Sequence, residues 1–327
     1  MKRFNNRLAD EINTGFGASS IYSGGRFYNR GGAPNVIKRG VGLLDRHSWY
    51  HTMLAMPRGK FLLLLFMVYI LINLVFAGLY YAIGIEHLGG MNRGSVWKNF
   101  AEVFFFSTQT FTTVGYGRIS PVGFLTSTVA TFEAFLGLLS FAIATGLFYG
   151  RFSRPQAFLK FSHIALISPY KNGTALMFRM APFKNNNLSD AEAKLTLAMR
   201  IDENGQMTNK FYSLDLEISR VNALALSWTV VHSINEKSPL YDLTLEDLKA
   251  TNAEVLVFVK AFDDVFANTV MSRTSYTTSE IIWGAKFKIM YYPNEEHTKT
   301  ILDIDMINEY EKIDLLQPVS AKLPVSG

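Results

Sequence analysis

The residues best placed to do chemistry in this 327-residue chain form one short run: Thr112, Thr113, Val114, Gly115, Tyr116 and Gly117. None is a nucleophile beside a base, so the chemistry on offer belongs to the backbone. A cation gives up its hydration shell only where other oxygens replace it, and a narrow ring of main-chain carbonyls from several chains can do this. Aiming successive carbonyls at one axis requires alternating backbone conformations that most L-residues resist, which accounts for glycine at 115 and 117. On this reading Val114 and Tyr116 turn away into packing, while the Thr113 hydroxyl and carbonyl close the inner end. A Gly-x-Gly alone describes many tight turns, so the flanking elements decide its meaning.

Those elements are apolar. Residues 61–83 carry no charge, and at 1.5 Å per residue they reach roughly 34 Å, enough to cross a hydrocarbon core of about 30 Å. A second stretch, 122–150, is apolar apart from Glu133 and some Ser and Thr. Both are read as membrane spans; the first starts some 60 residues in and lacks a cleavage site, unlike a leader. Between them, 96–111 is too short to span and runs into the glycines, which suggests a re-entrant segment. Irregular backbone at membrane depth is tolerated only where protein buries it or it lines a water-filled path. The negative C-terminal end of that short helix would then face a cation path. The expected pore unit is 58–154, with outer helix 58–83, pore helix 96–111, filter 112–117 and inner helix 122–152.

The chain is 49% hydrophobic, 18% charged and free of cysteine, which excludes a disordered chain and a disulfide-stapled secreted fold. Its net charge of +5 is unevenly spread: ten Lys/Arg against three acids in 1–60, but seventeen against twenty-one from residue 156 onward. Positive flanks put both termini in the cytoplasm and the link between the spans outside. The basic balance thus reports topology, and nucleic acid is not an expected partner. Residues 1–40, rich in Gly, Asn and Arg, read as a flexible arm. Residues 41–57 read as an amphipathic slide helix on the inner surface, with Pro57, Arg58 and Lys60 arguing for a break rather than continuation into the first span. His47 and His51 are four apart but lack a third ligand, so interfacial anchoring or pH sensitivity is expected there rather than a metal site.

After Pro155 the periodicity changes to two. Leu195, Leu197, Met199 and Ile201 alternate with Lys194, Thr196, Ala198 and Arg200. Further strand-like runs are 161–167, 176–180, 224–231, 255–259 and 281–292, with turn signals at Lys171-Asn172-Gly173 and Glu203-Asn204-Gly205. These predict one β-sandwich domain over 155–315 and a tail at 316–327.

The combination of a spanning run, a short helix, Thr113 to Gly117 and a second span resembles the potassium channel superfamily. Arg151-Phe-Ser-Arg-Pro155 with Phe161-Ser-His163, His232-Ser-Ile-Asn-Glu-Lys-Ser238-Pro239-Leu240-Tyr241, and Arg273-Thr-Ser-Tyr276 with Glu280-Ile-Ile-Trp283-Gly284 narrow the resemblance to inward-rectifier channels of prokaryotic type. The resemblance implies a homotetramer in which a two-span helical pore domain carries an all-β, immunoglobulin-like cytoplasmic domain. It implies K+ as the permeant ion at Thr113, Val114, Gly115 and Tyr116, and no cofactor. It implies gates at Tyr149 and at the loop Val265, Phe266, Ala267, Asn268, Thr269, Val270 and Met271. Gly137 and Gly146 become points of either inner-helix flexibility or close packing.

Three positions depart from family patterns. Phe141 stands where strong rectifiers carry an acid, Gln109 stands where a glutamate often sits behind the filter and so cannot ion-pair with Arg118, and the extracellular cysteines of animal members are absent. Glu133, the single charge in the second span, reads either as a hydrogen-bonded structural group or as a residue tuning the filter. Arg58, Lys60, Arg151 and Arg154 converge on the inner leaflet, where they satisfy topology and could also hold anionic lipids such as phosphoinositides. Asn172-Gly-Thr174 and Asn187-Leu-Ser189 match the glycosylation pattern but should be silent in the cytoplasm. No Walker, G-x-S-x-G or H-E-x-x-H pattern offers an enzyme active site. The competing readings are a channel with a different ligand sensor, and a two-span receptor whose β-domain binds a cytoplasmic partner.

Overall fold

The computed structural model describes residues 16, 25–40, 42, 49–153, 155–184, 187–203 and 205–315. The described residues group into two compact units, one drawn from Arg39–Arg154 and the other from Met1–Lys38 with Pro155–Gly327.

The first unit is helical: α1 (Trp49–Ala55), α2 (Arg58–Ile83), α3 (Val96–Phe111) and α4 (Phe124–Phe152). The slide helix is described only as α1, and its histidine pair lies outside what can be placed: His47 is not among the described residues, nor is the His51 side chain. Pro57, with extended backbone (φ −54°, ψ 144°), separates α1 from α2 as its missing N–H and fixed φ dictate. Gly84 ends α2 at φ 119°, a value open to glycine. Ser95 caps α3 by accepting the Lys98 N–H. The buried residues of α3, Val103, Phe106, Ser107 and Phe111, recur at helical spacing and form one face. That face meets Phe76, Ala77 and Tyr80 of α2 and Ala130 of α4 in a common cluster. Most other side chains of α2 and α4 are apolar and uncovered in a single copy, as in a helix that faces lipid or further subunits. The strands β1 (Leu88–Gly89) and β2 (Ser120–Pro121) pair across the outer link.

The second unit is a sandwich. One sheet holds β6 (Leu188–Glu203), β7 (Gln206–Leu214), β8 (Arg220–Ala223), β10 (Glu254–Asp263) and β11 (Asn268–Thr277), in the order β11-β10-β6-β7 with β8 also on β6. The other holds β3 (Leu159–Phe161), β4 (Ala165–Tyr170), β5 (Gly173–Pro182), β9 (Trp228–Ile234) and β12 (Ile281–Trp283), with β12 parallel to β4. Short pairs β13 (Ala285–Phe287) with β16 (Tyr310–Lys312) and β14 (Tyr291–Pro293) with β15 (Thr300–Leu302) follow, and α5 (Leu245–Ala250) lies between β9 and β10. The alternation read in β6 is real: Leu195, Leu197 and Met199 enter a core shared with Ile167, Leu176 and Phe178 of the facing sheet.

Three strand expectations are corrected. The run 161–167 breaks because the Ser162 hydroxyl donates to the Ile164 carbonyl (2.7 Å) and accepts the Arg179 N–H (3.1 Å), ending β3 before β4 begins. The run 281–292 is cut by Gly284, at φ 66° with the Ile313 carbonyl only 2.7 Å from where a Cβ would stand. The run 224–231 is strand only from Trp228.

The arm expected to be flexible over 1–40 is also corrected over its described part. The N–H of Phe27 donates to Glu254 (2.8 Å), and Arg26 and Arg30 pair with Glu280 at 2.9 and 2.6 Å. Phe27 is buried with Ala198, Phe211 and Leu256 on the outer face of the first sheet. That cover explains why Ala198, on the side expected to face water, is buried.

His232 offers a stability test. Its Nδ1 lies 2.6 Å from the Asp215 carbonyl, which can only accept, so Nδ1 carries the hydrogen and Nε2 accepts from Ser238 at 2.7 Å. Burial holds its pKa below the usual imidazole range. The neutral ring therefore contributes fully above about pH 6.5, and that contribution is lost as pH falls below it toward the depressed value. Thermal unfolding of the purified protein should show the fall in wild type. His232→Ala, leaving the buried Ser238 hydroxyl without its acceptor and the Asp215 carbonyl without its donor, should cost about 2 kcal/mol at neutral pH and flatten this part of the pH profile.

Candidate ion-conduction site

The site begins at the C-terminal end of α3. Thr112 continues the helix by donating from its N–H and its hydroxyl to the Thr108 carbonyl, at 3.1 and 2.7 Å. The chain then leaves helical geometry. The Gln109 carbonyl accepts both the Val114 N–H (2.9 Å) and the Gly115 N–H (3.3 Å), folding this segment back onto the helix that precedes it. Left-handed φ values recur at every second residue: Thr113 at 60°, Gly115 at 53° and Gly117 at 78°. This is the alternation that aligning successive carbonyls requires, and it extends to Thr113, a non-glycine position that the glycine pattern did not flag. Thr113 to Gly117 are uncovered in one chain, and no atom stands within 4 Å of a Cβ built on Gly115 or Gly117.

Behind this segment the three long helices meet through polar groups. The Tyr80 hydroxyl of α2 donates to Glu133 Oε2 of α4 at 2.7 Å, and Ser107 of α3 lies 2.5 Å from Glu133 Oε1. Asn73 of α2 lies 3.1 Å from Ser107 through its Oδ1. All four residues are buried. The sequence reading flagged Glu133 alone; its partners are single polar residues inside apolar runs, and that is the one signal that could have revealed them.

One turn beyond Glu133, Gly137 brings α4 against the end of α3: an added Cβ would stand 1.9 Å from the Phe111 carbonyl oxygen. Of the two roles left open for this glycine, the geometry supplies close packing. Gly146 has no atom within 4 Å and carries no such constraint. Arg118, deprived of a partner at Gln109, instead pairs with Glu102 at 2.6 Å.

The other candidates fall elsewhere. Phe141 and Tyr149 of α4 are each 75% exposed in a single chain. Arg58 and Lys60 begin α2 and are exposed. Arg151 donates to the Met53 (3.2 Å) and Met56 carbonyls and covers the Phe61 ring, so it ties α1 to α4. Arg154 lies outside the described residues. Val265, Phe266 and Ala267 form the turn of the β10–β11 hairpin, and Asn268, Thr269, Val270 and Met271 open β11. Asp263 shapes that turn by accepting the Val265 and Phe266 N–H groups at 2.9 and 3.2 Å.

Residues 62–154 match the ion channel family model, and residues 159–324 match the model for the inward rectifier potassium channel C-terminal domain. Inward rectifier potassium channel Kirbac3.1 of Paramagnetospirillum magnetotacticum is 36% identical over 266 residues, spanning 80% of this chain and 88% of that protein. This chain belongs to the inward rectifier potassium channel family.

The channel is also similar to ATP-sensitive inward rectifier potassium channel 12 of Gallus gallus, 26% identical over 74% of this chain and 61% of that one. Inward rectifier potassium channel 4 of Mesocricetus auratus is 27% identical over 62% and 48%. Membership sets aside the two-span receptor and makes the two apolar helices membrane helices. The channel conducts K+ passively and is not an enzyme.

Proposed function

We propose that four copies of this channel surround one axis and pass K+ through the carbonyls of Thr113, Val114, Gly115 and Tyr116, with Gly117 completing the turn. The observation that carries the assignment is left-handed backbone repeated at 113, 115 and 117, a longer alternation than a single turn needs and one that orients successive carbonyls alike. Gln109 holds the segment by its main chain, and Glu133 supports it from behind. Phe141 lines the inner path without the charge that attracts blocking polycations. Tyr149 narrows the path near the end of α4, where an apolar constriction can close by dewetting. The hairpin from Val265 to Met271 forms a second constriction at the cytoplasmic end. Both termini lie in the cytoplasm.

Arg58, Lys60, Arg151 and Arg154 form a basic collar toward anionic lipids, phosphoinositides among them. Arg151 supports this coupling, since the same guanidinium that ends α4 holds the carbonyls ending α1. Flux into liposomes tests the whole reading. K+ uptake that barium blocks, with little Na+ uptake, is expected, together with a change in rate when anionic lipid is added. Equal K+ and Na+ rates overturn the filter assignment, and indifference to anionic lipid overturns the collar.

A further inference from the structure

One hydroxyl in the membrane unit has more oxygens around it than it has hydrogens to give. Ser107 Oγ lies 2.5 Å from Glu133 Oε1, 3.1 Å from Asn73 Oδ1 and 3.2 Å from the Asn73 carbonyl oxygen. A serine hydroxyl carries one hydrogen. The Asn73 amide cannot be turned to supply another, because its Nδ2 already donates to the Tyr69 carbonyl at 2.7 Å, and a flip would set oxygen against oxygen there. On the far side of the carboxyl, Tyr80 donates its single hydrogen to Glu133 Oε2 at 2.7 Å.

An ionised carboxylate would draw the Ser107 hydrogen to itself. Asn73 Oδ1 and Ser107 Oγ would then face each other with lone pairs only, inside the membrane unit, where all four side chains are buried. A hydrogen on Oε1 removes the conflict. Glu133 then donates to Ser107, Ser107 to Asn73 Oδ1 and Asn73 to the Tyr69 carbonyl, while Tyr80 serves Oε2. The chain of donors runs one way, from α4 through α3 to α2.

We infer that Glu133 works as a neutral carboxylic acid whose hydrogen completes this relay, and that losing the hydrogen loosens α3 beneath the filter and lowers K+ conduction. The inference rests on reading Thr113 to Gly117 as the filter. The route between the two is short: Ser107 precedes Gln109 by two residues on α3, and the Gln109 carbonyl holds the N–H groups of Val114 and Gly115. Glu133 is thus a positioning residue. Tyr80 is its one titratable hydrogen-bond partner among the described residues. The charges on the packed elements stand at their ends: Lys98 and Glu102 early in α3, the latter paired with Arg118, Arg58 and Lys60 at the start of α2, and Arg151 at the end of α4.

The test uses the full channel in liposomes, with K+ flux followed from mildly acidic to alkaline pH. Wild type is expected to conduct at neutral pH and lose flux on the alkaline side. Glu133→Gln, which offers Ser107 an N–H and Tyr80 a carbonyl without titrating, should keep its flux where wild type loses it. Glu133→Leu, which offers neither, should conduct poorly at every pH. Infrared spectra of the purified protein at neutral pH should contain a protonated carboxylic acid C=O band that is missing from Glu133→Gln. Absence of that band, or a Gln variant that titrates as wild type does, overturns the inference. A wild type that passes no K+ at any pH overturns the filter reading instead, and the infrared band still decides where the hydrogen is.

Discussion

Replacing Gly115 by alanine is expected to abolish K+ selectivity while leaving a folded, assembled protein. Within its own chain no atom lies within 4 Å of the new methyl group, so the substitution meets no clash inside one subunit. The effect that one chain imposes comes from the backbone, which at φ 53° lies in the left-handed region that L-residues with a Cβ resist by about 1–2 kcal/mol. That is small beside the stability of a domain, and the thermal unfolding temperature should move little. The penalty is relieved when the peptide turns over, which takes a carbonyl away from the axis. In a four-fold pore one ring then loses all four of its oxygens at once, and dehydrating the ion no longer has its full compensation. Liposome assays should show K+ uptake reduced to the Na+ rate or to none. K+ selectivity equal to wild type would mean that these carbonyls do not line the path. Thr113 already tolerates φ 60°, so the expected sensitivity of Gly115 is one of carbonyl direction and not of strain alone.

What could be read from the sequence divides along physical lines. The two spans, the short helix and the left-handed turns at Gly115 and Gly117 are local: each is set by an uninterrupted composition or by glycines at fixed offsets, and the helices at Arg58–Ile83 and Val96–Phe111 begin where Pro57 and Ser95 dictate. The inward alternation of β6 was legible for the same reason. Interactions across long separations were not. Phe27 and Glu254 are 227 residues apart, and nothing in a Gly- and Arg-rich stretch announces that a carboxylate will take its main-chain N–H. Turn chemistry was missed where it depends on one side chain, as with Ser162, whose hydroxyl bonds end one strand inside an apolar run. In the site itself, Glu133 was visible as a lone charge, but Tyr80, Ser107 and Asn73 read as ordinary interruptions of apolar helices. Arg118 was correctly denied Gln109, yet its partner Glu102 lies 16 residues away and emerges only when the link folds back along α3.

The close approach of α4 to the end of α3 carries the second large effect. Gly137→Ala places a methyl carbon where the Phe111 carbonyl oxygen is 1.9 Å away and its carbon 2.8 Å away, and both belong to backbone that cannot rotate aside. Either α4 moves outward or the last turn of α3 moves, and that turn continues directly into Thr112 and Thr113. Overpacking of this kind costs about 1–3 kcal/mol per site. A tetramer carries it four times around one axis, so a sharp loss of thermal stability and of K+ flux is expected together. Gly146→Ala is the matched comparison on the same helix. With open space around it in its own chain, the change should hold or slightly raise stability, since alanine favours a helix over glycine by up to about 1 kcal/mol. If Gly146 acts as a hinge, its variant should alter opening without altering the melting temperature. Flux and melting data on the two variants therefore separate packing from flexibility: equal, mild effects at both positions would remove the argument that Gly137 seats the pore helix. The position of Gly137 one turn from Glu133 gives that seat a purpose, because the carboxyl and the close approach hold neighbouring stretches of α3 against α4, one by hydrogen bonding and one by shape.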